Sequence, residues 1–203
     1  MQTLQLNIIP GGWRVFVARK RDKSFAKFSE RVWKRDNYTC NFCGFQARQY
    51  QEVVNLDHDF RNNKLSNLVT ACCFCTQCFF LEEVGQGDYG GGTLIYMPEI
   101  SQAELNGLCH VLFCAIANAT DYRTDAQNIY RNLKLRSKTV EEKLGESMSD
   151  PAMVGRILAN VLTDPKESLP TWLSYLRLLP ARAKFTRQIE TWAAAALEEM
   201  SAE

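Results

Sequence analysis

Two cysteine pairs of one spacing, Cys40-x-x-Cys43 and Cys72-x-x-Cys75, constrain this chain more than any other feature of its 203 residues. Each pair offers two thiolates on a tight turn. Together they can close a tetrahedron around one zinc ion, with Zn–S bonds of about 2.3 Å. The segment they bracket carries Asp57-His58 and Asn67-Leu68, so a polar, chemically capable loop is tethered to the same point. Cys75-x-x-Cys78 repeats the spacing; the distance from Asn67 selects Cys72 and Cys75, with Cys73 or Cys78 left as the alternative ligand. Cys109 and Cys114 fall in an apolar helix and read as small core residues.

The compartment decides how eight cysteines are read. The segment Met1-Gln2-Thr3-Leu4-Gln5-Leu6 lacks the charged start and apolar centre of a signal peptide, and no apolar run is long enough to span a bilayer. A cytosolic chain keeps its thiols reduced, so the close pairs point to metal and not to disulfides. A net charge of +1 argues against a general polyanion binder, although residues 14–36 hold nine Lys/Arg against three Asp/Glu. That local excess reads as a solvated helix face, or as a face for an acidic partner surface.

Leu4, Leu6 and Ile8 alternate with polar residues up to Pro10-Gly11-Gly12, and Trp13 to Ala18 is a second run of strand formers, which together predict a hairpin or two adjacent strands. Phe25, Phe28 and Val32 predict a helix over 24–36 that delivers the chain to Cys40. Val53–Leu56 and Thr93–Met97 read as strands, separated by a glycine loop, Gly85–Gly92. No Gly-Lys-Ser/Thr follows that loop, so it is read as a surface loop or close-packing turn and not as a phosphate cradle. Beyond residue 100 every signal is helical. Ser101-x-x-Glu104 is a capping box ahead of Leu105, Cys109, Leu112 and Phe113. A second helix is expected over 125–144, a third begins at Asp150-Pro151, and two more are punctuated by Pro165, Pro170 and Pro180. Trp13, Trp33, Phe79, Phe80, Trp172 and Trp192 are either core residues or anchors for a partner.

The ordered set Arg35-Asp36-x-Tyr38-Thr39-Cys40-x-x-Cys43-Gly44, Leu56-Asp57-His58, Asn67-Leu68-x-x-x-Cys72-x-x-Cys75 resembles the zinc-ribbon branch of the HNH (ββα-metal) nucleases. The resemblance implies a structural zinc held by Cys40, Cys43, Cys72 and Cys75, with His58 as general base, Asp57 as ligand to a divalent ion and Asn67 orienting the loop. It also implies a final metal-binding histidine just after the last cysteine. Thr76 stands there, which leaves Asp57 and water to hold the ion, and Phe79 and Phe80 add apolar bulk. The catalytic set Asp57, His58 and Asn67 therefore reads as vestigial, and the chain as no enzyme.

A closer resemblance covers nearly the whole chain. The segments 35–48, Asn67–Cys75, Gly90–Tyr96 and 182–199 are similar to those of the IcmJ/DotN family of the type IVB (Dot/Icm) secretion system. It implies an α+β fold, an HNH-like zinc-ribbon half over 1–99 with an all-helical half over 100–203 packed against it. It further implies one structural Zn²⁺ and a non-catalytic adaptor in the coupling complex that supports effector export. The implied partners are the C-terminal region of a DotL-like coupling ATPase, a DotM-like subunit and IcmS/IcmW-like adaptors, with neither nucleic acid nor direct membrane insertion. The implied location is cytoplasmic, at the inner membrane through the complex. A metal-dependent HNH endonuclease with a degenerate site is the alternative.

Overall fold

The computed structural model describes residues 2–161 and 169–201. Residues 2–9 run extended outside any sheet, and the chain reverses at Pro10-Gly11-Gly12. Gly11 takes a positive φ of 73°, and a Cβ on Gly12 would sit 2.4 Å from the Ile9 side chain. The expected second strand is instead a helix, α1 (Gly12–Lys20). Its buried residues Gly12, Phe16 and Arg19 recur at helical spacing, so tertiary packing overrides the strand preference of Val15 and Val17. α2 (Lys23–Arg35) forms as expected, capped by Asp22, whose side chain accepts from Ser24 N–H.

β1 (Gln51–Asn55) and β2 (Leu68–Cys72) pair antiparallel, with Val53 opposite Thr70. α3 (Cys73–Thr76), a single turn, follows directly. β3 (Gly92–Tyr96) leads to α4 (Gln102–Ala117), whose Ser101–Glu104 capping box is present. The expected helix over 125–144 is two, α5 (Arg123–Leu135) and α6 (Ser137–Leu144), broken at Arg136. The break lets Arg136 C=O accept from Tyr96 N–H of β3 and its guanidinium pair with Glu99. α7 (Pro151–Val161) starts behind Asp150, which accepts from Ala152 N–H.

The C-terminal half is not all helical. Leu176–Pro180 is a strand, β4, antiparallel to β3 with Leu94 opposite Leu178. Where two proline-bounded helices were expected, a short 3-10 segment (Thr171–Tyr175) precedes β4 and one long helix, α8 (Thr186–Ser201), follows it; Pro165 lies outside the described residues. Leucine favours helix, but the Gln102 amide accepts from Leu178 N–H and donates to its C=O, and Gly92 allows the close approach of Leu179 C=O. Partners distant in sequence therefore decide this stretch. β3 and β4 lie on opposite sides of residue 100, and one hydrophobic core runs from Leu4 through Phe74, Leu94 and Phe113 to Ile189. A smaller cluster of Phe25, Val32, Val53 and Leu68 fastens α2 to the first sheet.

Candidate metal centre

The run before Cys40 earns its residues by holding the first cysteine turn in place. Arg35 donates to Leu65 C=O (2.8 Å) and Leu68 C=O (2.7 Å), and Asp36 accepts from Thr70 N–H (2.8 Å) and Asn41 (3.1 Å). The pair thus straps the end of α2 to β2. Asn37 and Tyr38 then turn through positive φ, Cys40 N–H donates to Phe45 C=O, and Gly44, at φ 76°, closes the turn onto Cys40 C=O. Cys72 ends β2, and Cys75 sits one turn on in α3.

This arrangement brings the sulfurs of Cys40, Cys43, Cys72 and Cys75 within 4.8 Å of one another, and among the described residues it is the one group of three or more such donors that could hold a metal ion. Cys40, Cys72 and Cys75 are buried and Cys43 is partly exposed. The four-sulfur donor set is compatible with zinc. Burial pushes the Cys72 and Cys75 thiols up, while hydrogen bonds from Cys43, Cys72 and Cys75 draw Cys40 down. Four thiolates at this separation need a cation to coexist. Cys73 and Cys78 lie outside the group; the Cys78 thiol donates to Phe74 C=O (3.4 Å).

A feature absent from the sequence reading lies on α4. Gln102, Asn106 and His110 recur every four residues on α4 beside the apolar stripe of Leu105, Cys109 and Phe113, and all three are buried. Gln102 donates to Asn106 Oδ1 (2.9 Å), which turns the Asn106 amide N–H toward Cys75 Sγ (3.2 Å). His110 Nε2 lies 3.3 Å from Cys72 Sγ, its ring stacked between Phe45 and Phe74. The Asn106 N–H aimed at Cys75 stabilises a thiolate there, the outer support that metal sites use. The signal was present in the sequence: three polar residues at helical spacing beside an apolar stripe.

The histidine loop is sewn by its own side chains. Asp57 accepts from Asn62 Nδ2 (2.6 Å), Asn67 Nδ2 (2.8 Å) and Asp59 N–H (3.0 Å), while Asn67 Oδ1 accepts from Asp57 N–H. Despite some desolvation, these bonds hold the Asp57 carboxyl below its ordinary range. Beneath them, buried Asn55 donates to Asp59 and Asn62 C=O, and buried Arg19 donates to Asn55, to Val53 C=O and to Phe60 C=O. His58, at φ 62°, packs edge-on against Phe79. Burial holds its imidazole below the usual value, with Asp57 pulling the other way. Asn7 Oδ1 accepts from Ile8 N–H, which orients the Asn7 amide to donate from Nδ2 to His58 Nδ1 (2.9 Å). Thr76 is buried and donates to Cys72 C=O.

A protein of Legionella pneumophila, the Type 4 apparatus protein DotN, is 59% identical over 198 residues, which span 98% of this chain and 92% of the relative. The chain belongs to the DotN family. No protein-family profile matches it. In this DotN-family chain the basic stretch 14–36 is only partly a free face: Arg19 is buried, Arg35 is spent on carbonyls, and Lys20 and Lys34 pair with Glu52 and Glu30. The glycine loop is both of the expected things: Gly85–Asp88 is exposed surface with open space at Gly85 and Gly87, while its end packs closely, with Gly91 N–H donating to buried Gln77 and Gln77 Oε1 2.6 Å from where a Cβ on Gly90 would lie. Phe79 and Phe80 are buried, and the four tryptophans are half-buried.

Proposed function

We propose that this chain is a non-catalytic, zinc-holding adaptor of a type IVB (Dot/Icm) secretion coupling complex. In this reading Cys40, Cys43, Cys72 and Cys75 hold one structural Zn²⁺ in an HNH-like scaffold. The chain binds the C-terminal region of the coupling ATPase beside DotM-like and IcmS/IcmW-like subunits and supports effector export. The observation that carries it is the near end-to-end identity with DotN, itself named a type 4 apparatus protein. Among the described residues no helix is long and apolar enough to cross a membrane, in keeping with a cytoplasmic protein held at the inner membrane through its complex.

What supports the non-catalytic part is the condition of His58. A neutral imidazole has one lone pair on nitrogen to take a proton. Here that lone pair, on Nδ1, already accepts from Asn7, while Asp57 is occupied by its own loop. The alternative, a metal-dependent endonuclease, needs both groups free for water and metal. Plasmid incubated with the protein and Mg²⁺ or Mn²⁺ remains intact on the adaptor reading; nicking that vanishes in His58→Ala would establish the enzyme. Co-purification with the cytoplasmic tail of the coupling ATPase, with zinc measured on the same sample, tests the adaptor. A stoichiometric complex with one zinc per chain is expected, and zinc-loaded protein that does not bind refutes it.

A further inference from the structure

Gln102 and Asn106 join the cysteine group to a strand beyond it through hydrogen bonds that can run in one direction only. The direction is set at β4. Leu94, opposite Leu178, gives its own N–H to Ser149 C=O, away from β4, so this pair makes no bond between the strands. The side chain of Gln102 does for Leu178 what a neighbouring strand would do. Leu178 N–H is a donor and its C=O an acceptor, so Gln102 Oε1 must take the first (2.7 Å) and Nε2 must give to the second (2.9 Å). The remaining Nε2 hydrogen goes to Asn106 Oδ1 (2.9 Å), which leaves Asn106 Nδ2 at the far end, 3.2 Å from Cys75 Sγ and 4.0 Å from Cys78 Sγ. Leu178, Gln102, Asn106 and Cys75 are all buried, so no link is open to water.

A reversed Gln102 amide would set N–H against N–H at Leu178, and a reversed Asn106 would then turn its carbonyl oxygen to sulfur. Both reversals are excluded while β4 is in place. An N–H fixed on the sulfur favours the thiolate, the form of cysteine that binds metal. We propose that Gln102 and Asn106 form a relay that couples metal retention at Cys75 to the docking of β4 on α4. Asn106 acts on the sulfur itself. Gln102 is a positioning residue that acts through Asn106 and touches none of the four cysteines. The coupling is reciprocal: Leu178 in place favours a thiolate at Cys75, and a thiolate held there favours the amide polarity that Leu178 needs. Residues far apart in the sequence thus report the state of the metal site to one another.

This inference rests on the metal-holding part of the reading above, and the rate at which zinc-loaded protein yields its metal to excess chelator separates the two. Gln102→Met keeps the bulk of the side chain and removes its amide; release should quicken about tenfold or more. In an Asn106→Leu background the same change should add about twofold or less, because the link it acts through is gone. The reverse direction is read by hydrogen exchange at the Leu178 amide. Stripping the metal from the wild type should speed it about tenfold or more, whereas in Asn106→Leu it should be fast with or without metal. Unchanged release in Gln102→Met overturns the relay, as does an equal quickening in both backgrounds, which marks a general loss of packing. Leu178 exchange that ignores the metal overturns it with no substitution needed. Wild-type protein that holds no metal removes the metal-holding reading and the relay with it; metal retained without a Gln102 effect removes the relay alone.

Discussion

Arg19 shows how a charge that reads as surface becomes a structural post. Its guanidinium sits among Phe16, Phe25 and Phe60, has no ion pair among the described residues, and bonds Asn55, Val53 C=O and Phe60 C=O. Burial draws it down to about 10, with Glu52 acting in the opposite direction, so it stays charged at neutral pH. Arg19→Met strands those acceptors and should cost about 2–3 kcal/mol in urea unfolding; Arg19→Lys should recover little, since an ammonium cannot reproduce the planar fork. Glu82 gives a pH dependence. Burial raises its carboxyl from 4.5 to about 7, its own and Ile9's N–H groups opposing, so the folded chain holds the proton where the unfolded chain has lost it. That stability is complete below about 4.5 and is lost as the pH rises through about 7. The urea midpoint of the wild type should thus fall relative to that of Glu82→Gln across this window, and parallel profiles would remove Glu82 as the cause.

At the scale of elements, α7 meets the Leu81–Glu83 turn so closely that a Cβ on Gly155 would lie 2.3 Å from Glu82 N and 2.4 Å from its Cα. Helix propensity favours alanine there by about 1 kcal/mol, but overpacking against backbone costs about 1–3 kcal/mol. Gly155→Ala should be net destabilising in thermal melts, and a rise in stability would show that α7 can shift outward. Elements with local signals were legible: α2, β1, β3 and the Ser101–Glu104 box on α4 follow from periodicity and capping. β4 was not, because nothing inside Leu176–Pro180 favours a strand; Gln102 and Gly92 supply its reason from across the chain. The α5–α6 break was hidden for the same cause, since its beneficiary is β3.

At the scale of the molecule, the four cysteines join the turn after α2 to the end of β2 and to α3, and Asn106 and His110 tie that point to α4. A metal ion bound there would link both parts of the chain, so Cys40→Ser or Cys72→Ser should abolish metal retention and lower the unfolding temperature by about 10 °C or more. Retention of one metal per chain with an unchanged melt would refute the site. Asn106→Leu, which keeps the volume and removes the N–H aimed at Cys75, should weaken metal retention against a chelator about tenfold or more, with the four cysteines intact. The sequence by itself determined the cysteine framework, the Asp57-His58-Asn67 loop and the family resemblance, because each is written in residue types at short, ordered spacings. Only the tertiary structure decided that His58 is engaged by Asn7, that β4 completes a sheet with β3, and that a helix, α1, stands where a second strand was expected. Those outcomes depend on which distant groups compete for the same hydrogen bonds, and spacing along the chain does not record that competition.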